Sequence, residues 1–178
     1  MELGRSFVAG PYQLRRGALA LIWRGIGEYL VRAPKYRYLT GPVSISGDYQ
    51  ALSRDLIIRF LNQRHPPGAF PVRPRKAPRL RQHGGFNLKP LLNSIDSMDA
   101  VDLLVSEIEP DGRGIPVLLR HYLKLNAQVL GFNVDPSFSN VVDGLIRVDL
   151  LNVETTLLAR YLGKEGAAAY LNYHRQLG

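Results

Sequence analysis

The residues best suited to chemistry stand at the two ends of the first loop. Glu2 and Arg5 lie in "MELGRSFV", which reads as a strand through Leu3, Phe7 and Val8. After the turn "AGPYQLRRG", Gln13, Arg15 and Arg16 sit where a polar loop feeds a long helix. A helix N-terminus carries unpaired backbone N–H groups and a partial positive charge, so with those side-chain donors it suits a phosphate. The plainer alternative is a solvated helix entry whose arginines point at water. Glu2 has the chemistry of a general base if a buried or paired setting raises its pKa, and otherwise that of a chain-end carboxylate in a salt bridge. Ser44 and Ser46 share one face of a second strand, where a hydroxyl can hydrogen-bond a substrate or cap the next helix. Asp135 and Asp143 flank a turn, a place where aspartates commonly serve the backbone.

These side chains need a framework. Leu19, Ile22, Ile26, Tyr29 and Leu30 recur as one helix face ending near Pro34, and "YRYLTGPVSIS" reads as a strand bent at Gly-Pro. Ser46 or Asp48 is placed to cap a helix whose face is Leu52, Leu56, Ile57, Phe60 and Leu61. From His65 to Gly85 the prolines are dense and no period survives, which predicts a mobile excursion from the core within a basic insertion over 65–90. A helix through Ile95, Met98, Val101, Leu104 and Ile108 follows. A shorter one begins at Pro116 and presents Val117, Leu118, Tyr122 and Leu123. "QVLGFNV" and "LIRVDLL" read as strands around the turn "DPSFSNVVDG", and short helices at 157–162 and 167–173 close the chain. The alternation implies one α/β (α+β) domain over 1–178, a mixed sheet with parallel central strands flanked by helices.

Composition narrows the chemistry. The 178 residues are 46% hydrophobic and contain no cysteine, which removes thiol nucleophiles, zinc ribbons and iron–sulfur clusters and suits a cytoplasmic setting. No apolar run approaches the ~20 residues that span a bilayer. The motifs H-x-x-x-x-D, G-x-S-x-G, H-E-x-x-H, G-x-G-x-x-G and the Walker loop are all missing. The net charge of +8 is local. No acidic residue lies between Asp55 and Asp96, where Arg59, Arg64, Arg73, Arg75, Lys76, Arg79, Arg81 and Lys89 all stand, and without those eight the remaining cations, 15, equal the Asp+Glu count of 15. Within the insertion over 65–90, Phe70 and Phe86 are the only Phe, Tyr or Trp residues, so no nucleic-acid partner is expected. An anionic membrane surface, an acidic protein or simple solvation all fit such a loop.

Four ordered blocks then carry a resemblance: "MELGRSFV", "PYQLRRGALALIWRGIGEYL", "YRYLTGPVSIS" and "DGRGIPVLLRHYLKLNAQVLGFNVDPSFSNVVDGLIRVDL". Together, from Glu2 to about His174, they resemble the hemolysin-like acyltransferases of the GNAT superfamily, relatives of the ornithine-lipid N-acyltransferases. The resemblance implies the C-terminal part of a GNAT-like acyl-CoA N-acyltransferase fold, with "ELGR" as its fourth strand and a missing N-terminal half before Met1. It implies lipid biosynthesis in which an amine such as ornithine attacks a long-chain acyl-phosphopantetheine thioester, a co-substrate and not a permanently bound cofactor, with no covalent enzyme intermediate. Glu2 would orient or deprotonate the amine and Arg5 would support it. Backbone N–H groups near Val8 would polarise the thioester oxygen. The phosphate would rest on the stretch from Tyr12 through Gln13, Arg15, Arg16 and Gly17 to Ala18, and Ser44, Ser46 and Asp135 would face the acceptor. One departure concerns the donor: the superfamily loop Arg/Gln-x-x-Gly-x-Gly/Ala has Gln or Arg three residues before glycine, whereas "QLRRGAL" has Gln13 four before Gly17. That departure weakens free coenzyme A as the donor and leaves it as the alternative to acyl carrier protein, whose acidity suits Arg15, Arg16, Arg24 and the basic insertion. The implied setting is the cytoplasm, with peripheral contact at the inner membrane as a further expectation.

Overall fold

A computed structural model of the chain describes residues 1–4, 9–12, 17–65, 72–81 and 87–177, and the chain divides into two units, Met1–Thr40 with Val148–Gly178, and Gly41–Arg147. The elements are α1 (Ala18–Arg32), β1 (Tyr38–Ile45), α2 (Ala51–Arg64), α3 (Leu88–Ser94), α4 (Met98–Ile108), α5 (Val117–Lys124), β2 (Gln128–Asp135), β3 (Val141–Asp149), α6 (Thr155–Leu162) and α7 (Lys164–Arg175). This is a mixed α/β fold compatible with a GNAT-like acyltransferase. Its strands run in the order β1-β3-β2. β2 and β3 are antiparallel, with Gln128 opposite Arg147 and Asn133 opposite Asp143. β1 also opposes β3: Ser44 meets Asp143 while the Leu150 N–H donates to the Arg37 carbonyl. Parallel pairing, expected for the central strands, is confined among the described residues to a bridge between Glu2 and Thr40. The reason on the β2–β3 side is the five-residue connection over 136–140, which can only return the chain antiparallel. β3 accordingly starts at Val141, inside the stretch read as a turn.

In the first unit, α1 packs on α6 and α7. Its buried residues are Trp23, Gly27 and Leu30, while Tyr29 is exposed, so the apolar face is rotated from the one the sequence predicts. Gly27 explains the rotation. A Cβ there would lie 2.2 Å from the Tyr161 carbonyl oxygen, so α6 crosses α1 where α1 has no side chain, and the Trp23 and Tyr161 rings meet at 5.6 Å. α7 fixes the lead-in to β1. The Tyr170 hydroxyl donates to the Tyr36 carbonyl at 2.9 Å, His174 Nε2 lies 2.7 Å from the Pro34 carbonyl oxygen, and Arg37 donates to both oxygens of Asp149 at 2.8 and 2.7 Å.

In the second unit, α2 packs against α3, α4 and β2. It buries Leu56, Ile57, Ile58, Phe60 and Leu61, and also the carboxylate residue Asp55. The cap is not Ser46 or Asp48: Gln50 precedes the helix, and its N–H donates to Glu109 Oε1 at 2.8 Å. α3 is absent from the sequence reading because Pro90 masks it, yet proline is tolerated in a first turn, where N–H groups lack helical partners. Asn87 caps it, accepting from the Lys89 N–H at 3.0 Å. On α5 the buried residues are Leu119 and Tyr122, and Val117 and Leu118 are exposed, contrary to the expected face. Residues 72–81, read as part of an excursion, instead follow β2: the Val134 N–H donates to the Lys76 carbonyl at 2.8 Å and the Lys76 N–H to Asn133 Oδ1 at 2.9 Å. Such a proline-bearing strap satisfies an edge strand while offering few N–H groups of its own.

Candidate functional site

The N-terminal segment pairs with β1 through a two-bond ladder. Thr40 N–H donates to the Met1 carbonyl at 3.0 Å, and Leu3 N–H donates to the Thr40 carbonyl at 2.7 Å. The terminal ammonium adds a bond to the Tyr38 carbonyl at 2.6 Å. N–H groups alternate between the edges of a strand, so the next β1 donor towards that edge would be residue 42. Residue 42 is proline, so β1 has no N–H to donate at that position. The Glu2 side chain is exposed at this bridge, and its Oε1 occupies the space over Gly4, 3.2 Å from where a Cβ would stand. Arg5 and Val8 lie outside the described residues, as do Gln13, Arg15 and Arg16.

The loop before α1 is described at Tyr12, Gly17 and Ala18. Tyr12 ends a short 3-10 turn over Gly10–Tyr12 and is exposed. Gly17 precedes α1 at φ 95°, a left-handed conformation that glycine adopts without a Cβ penalty, and its carbonyl accepts the Leu21 N–H at 3.0 Å. Among the described residues no side chain caps α1, so the N–H groups from Ala18 onward begin the helix with the donors that an anion would use.

Glu2, Tyr12, Gly17 and Ala18 belong to the first unit, and Ser44, Ser46 and Asp135 to the second. Each of the latter three has a local partner. Ser44 Oγ donates to Asp143 Oδ1 at 2.5 Å, which gives Asp143 a cross-strand side-chain role. Ser46 Oγ donates to Asp48 at 2.9 Å and accepts the Asp48 N–H at 3.2 Å, and Asp135 Oδ1 accepts the Ser137 N–H at 2.8 Å. Ser46 and Asp135 thus build the turns that follow their strands.

Sequence reasoning missed the polar cluster around the turn after α4. The Glu109 side chain is fully enclosed, caps α2 through Gln50, and lies 3.3 Å from Arg113 Nε. The Arg113 guanidinium stacks over Tyr49 at 4.6 Å, and Tyr49, whose pKa burial raises, donates its hydroxyl to the Gly114 carbonyl at 2.8 Å. Asp102 accepts the Ile115 N–H at 2.8 Å and pairs with Arg120. In sequence, "EPDGRG" reads only as the stop of the helix that runs through Ile108. The available signal was the number of charges in a stretch that leads directly into another helix.

Comparison with known proteins adds a similarity. The chain is 28% identical over 153 residues to a glycine N(alpha)-acyltransferase of Phocaeicola vulgatus. It is related to an acyltransferase. The match covers 79% of this chain and 45% of the relative, so the chain spans less than half of that protein's length. No protein-family model and no solved structure matches it. Among the described residues, no helix is long and apolar enough to cross a membrane.

Proposed function

We propose that the chain takes part in N-acyl transfer, in which the amine of a small amino acid is acylated by a fatty acyl thioester. The similarity to a glycine N(alpha)-acyltransferase carries this reading. Glycine is therefore the first acceptor to test, and ornithine, which the four sequence blocks suggest, is the second. In the reaction the free amine attacks the thioester carbonyl, a C–N bond forms, the C–S bond breaks, and the sulfur leaves as a thiol after taking up a proton. The Glu2 carboxylate receives the proton lost by the amine, with Arg5 beside it in the motif. Backbone N–H groups near Val8 stabilise the oxyanion. The donor phosphate rests on the loop around Gly17 and the start of α1, with acyl carrier protein preferred over coenzyme A.

The test supplies the protein with a labelled acyl group on acyl carrier protein or on coenzyme A, and offers glycine and ornithine in competition. N-acyl glycine in excess of N-acyl ornithine, formed faster from the carrier protein, is the expected outcome. Absence of any N-acyl amino acid would overturn the assignment.

A further inference from the structure

We propose that residues 72–81 form an electrostatic docking surface for an anionic lipid bilayer. The strap is fixed by its backbone. Lys76 exchanges bonds with Asn133 and Val134 on β2, the Arg81 N–H donates to buried Asp55 at 2.7 Å, and Arg59 donates to the Arg81 carbonyl at 3.1 Å. Because main-chain atoms of the strap make these bonds, the side chains are left for another use. Arg73, Arg75, Lys76, Arg79 and Arg81 are all exposed, and among the described residues none of the five forms an ion pair with a carboxylate. Pro74 and Pro78 restrict φ within the strap, which bends at Arg75 and Lys76 and carries all five cations between Arg73 and Arg81.

The chemistry of the row selects its partner. A protein interface gathers its energy on aromatic or apolar anchors, and a single-stranded nucleic acid stacks on aromatic rings. Among residues 72–81 there is no aromatic side chain, and Val72 is the one exposed large apolar residue. A phosphate-bearing bilayer needs no such anchor. Each lysine or arginine near its surface adds to binding independently, so a cluster of exposed cations suffices. This surface does not depend on the acyl-transfer reading, because binding is measured without turnover.

The full chain is sedimented with vesicles of phosphatidylcholine alone or with phosphatidylglycerol added, and compared with R73S/R75S/R79S and R73K/R75K/R79K variants whose circular dichroism and Tm match the parent. Binding is expected only with phosphatidylglycerol and is expected to weaken as salt rises from about 0.05 to about 0.3 M. It should fall about a hundredfold in the serine variant, at about fivefold per charge removed, and persist in the lysine variant. Equal binding to neutral vesicles, unchanged binding by the serine variant, or loss of binding in the lysine variant would overturn the proposal. So would preferential retention on duplex DNA over vesicles at equal phosphate concentration.

Discussion

Glu109 shows how one enclosed carboxylate can organise a turn. It terminates α2 by accepting the Gln50 N–H and faces Arg113 across 3.3 Å. Replacing it with alanine removes the cap and leaves a buried donor without a partner, which should cost about 1–3 kcal/mol in urea unfolding. Glu109→Gln keeps an oxygen for Gln50 and should recover much of that loss; equal losses in the two variants would mean that the charge opposite Arg113 matters and the cap does not. His65 makes a pH-dependent contribution. Burial lowers its pKa below the ordinary imidazole value, so the unfolded chain takes up this proton first. The stability tied to the neutral ring is complete above about pH 6.5 and declines as pH falls through the unfolded value towards the folded one. His65→Gln should therefore lose less stability than the parent between about pH 7.5 and about pH 5, as read from paired denaturation curves.

Among the elements, α1 offers the sharpest contrast, with two glycines on one helix. A Cβ on Gly25 meets nothing within 4 Å, whereas one on Gly27 strikes the backbone at Tyr161. Gly25→Ala should stabilise the protein by up to about 1 kcal/mol through helix propensity. Gly27→Ala should destabilise it by about 1–3 kcal/mol through overpacking. Stabilisation by both would show that α6 does not approach α1 there. The same helix shows what the sequence reveals. Its span was legible because Leu19, Ile22, Ile26 and Leu30 recur at helical spacing, but its contact face was not, since the closest approach occurs at a residue without a side chain. β1 was legible for the same kind of reason, with Leu39, Val43 and Ile45 alternating inward. The strap along β2 was hidden because its order comes from backbone bonds to Asn133, Val134 and Asp55, partners distant in sequence. In the candidate site, the pairing of the Glu2 segment with Thr40 emerged only from the backbone hydrogen bonds, because its partner lies far along the sequence.

At the scale of the whole molecule, one unit bears Glu2 and the α1 N-terminus, the other bears β2, Ser44 and the basic strap, and β1 and β3 have residues in both. Its similarity to a glycine N(alpha)-acyltransferase spans most of the chain and less than half of that relative. Acyl transfer to an amine is the central functional proposal, and its most direct measurement is the mass of the product formed from an acyl thioester and nitrogen-15 glycine. The account predicts an N-acyl glycine carrying the heavy nitrogen, formed at least about a hundredfold more slowly by Glu2→Gln. Release of free fatty acid with no labelled amide, or an equal rate of amide formation in Glu2→Gln, would contradict it, the first outcome by removing the reaction and the second by removing Glu2 from it.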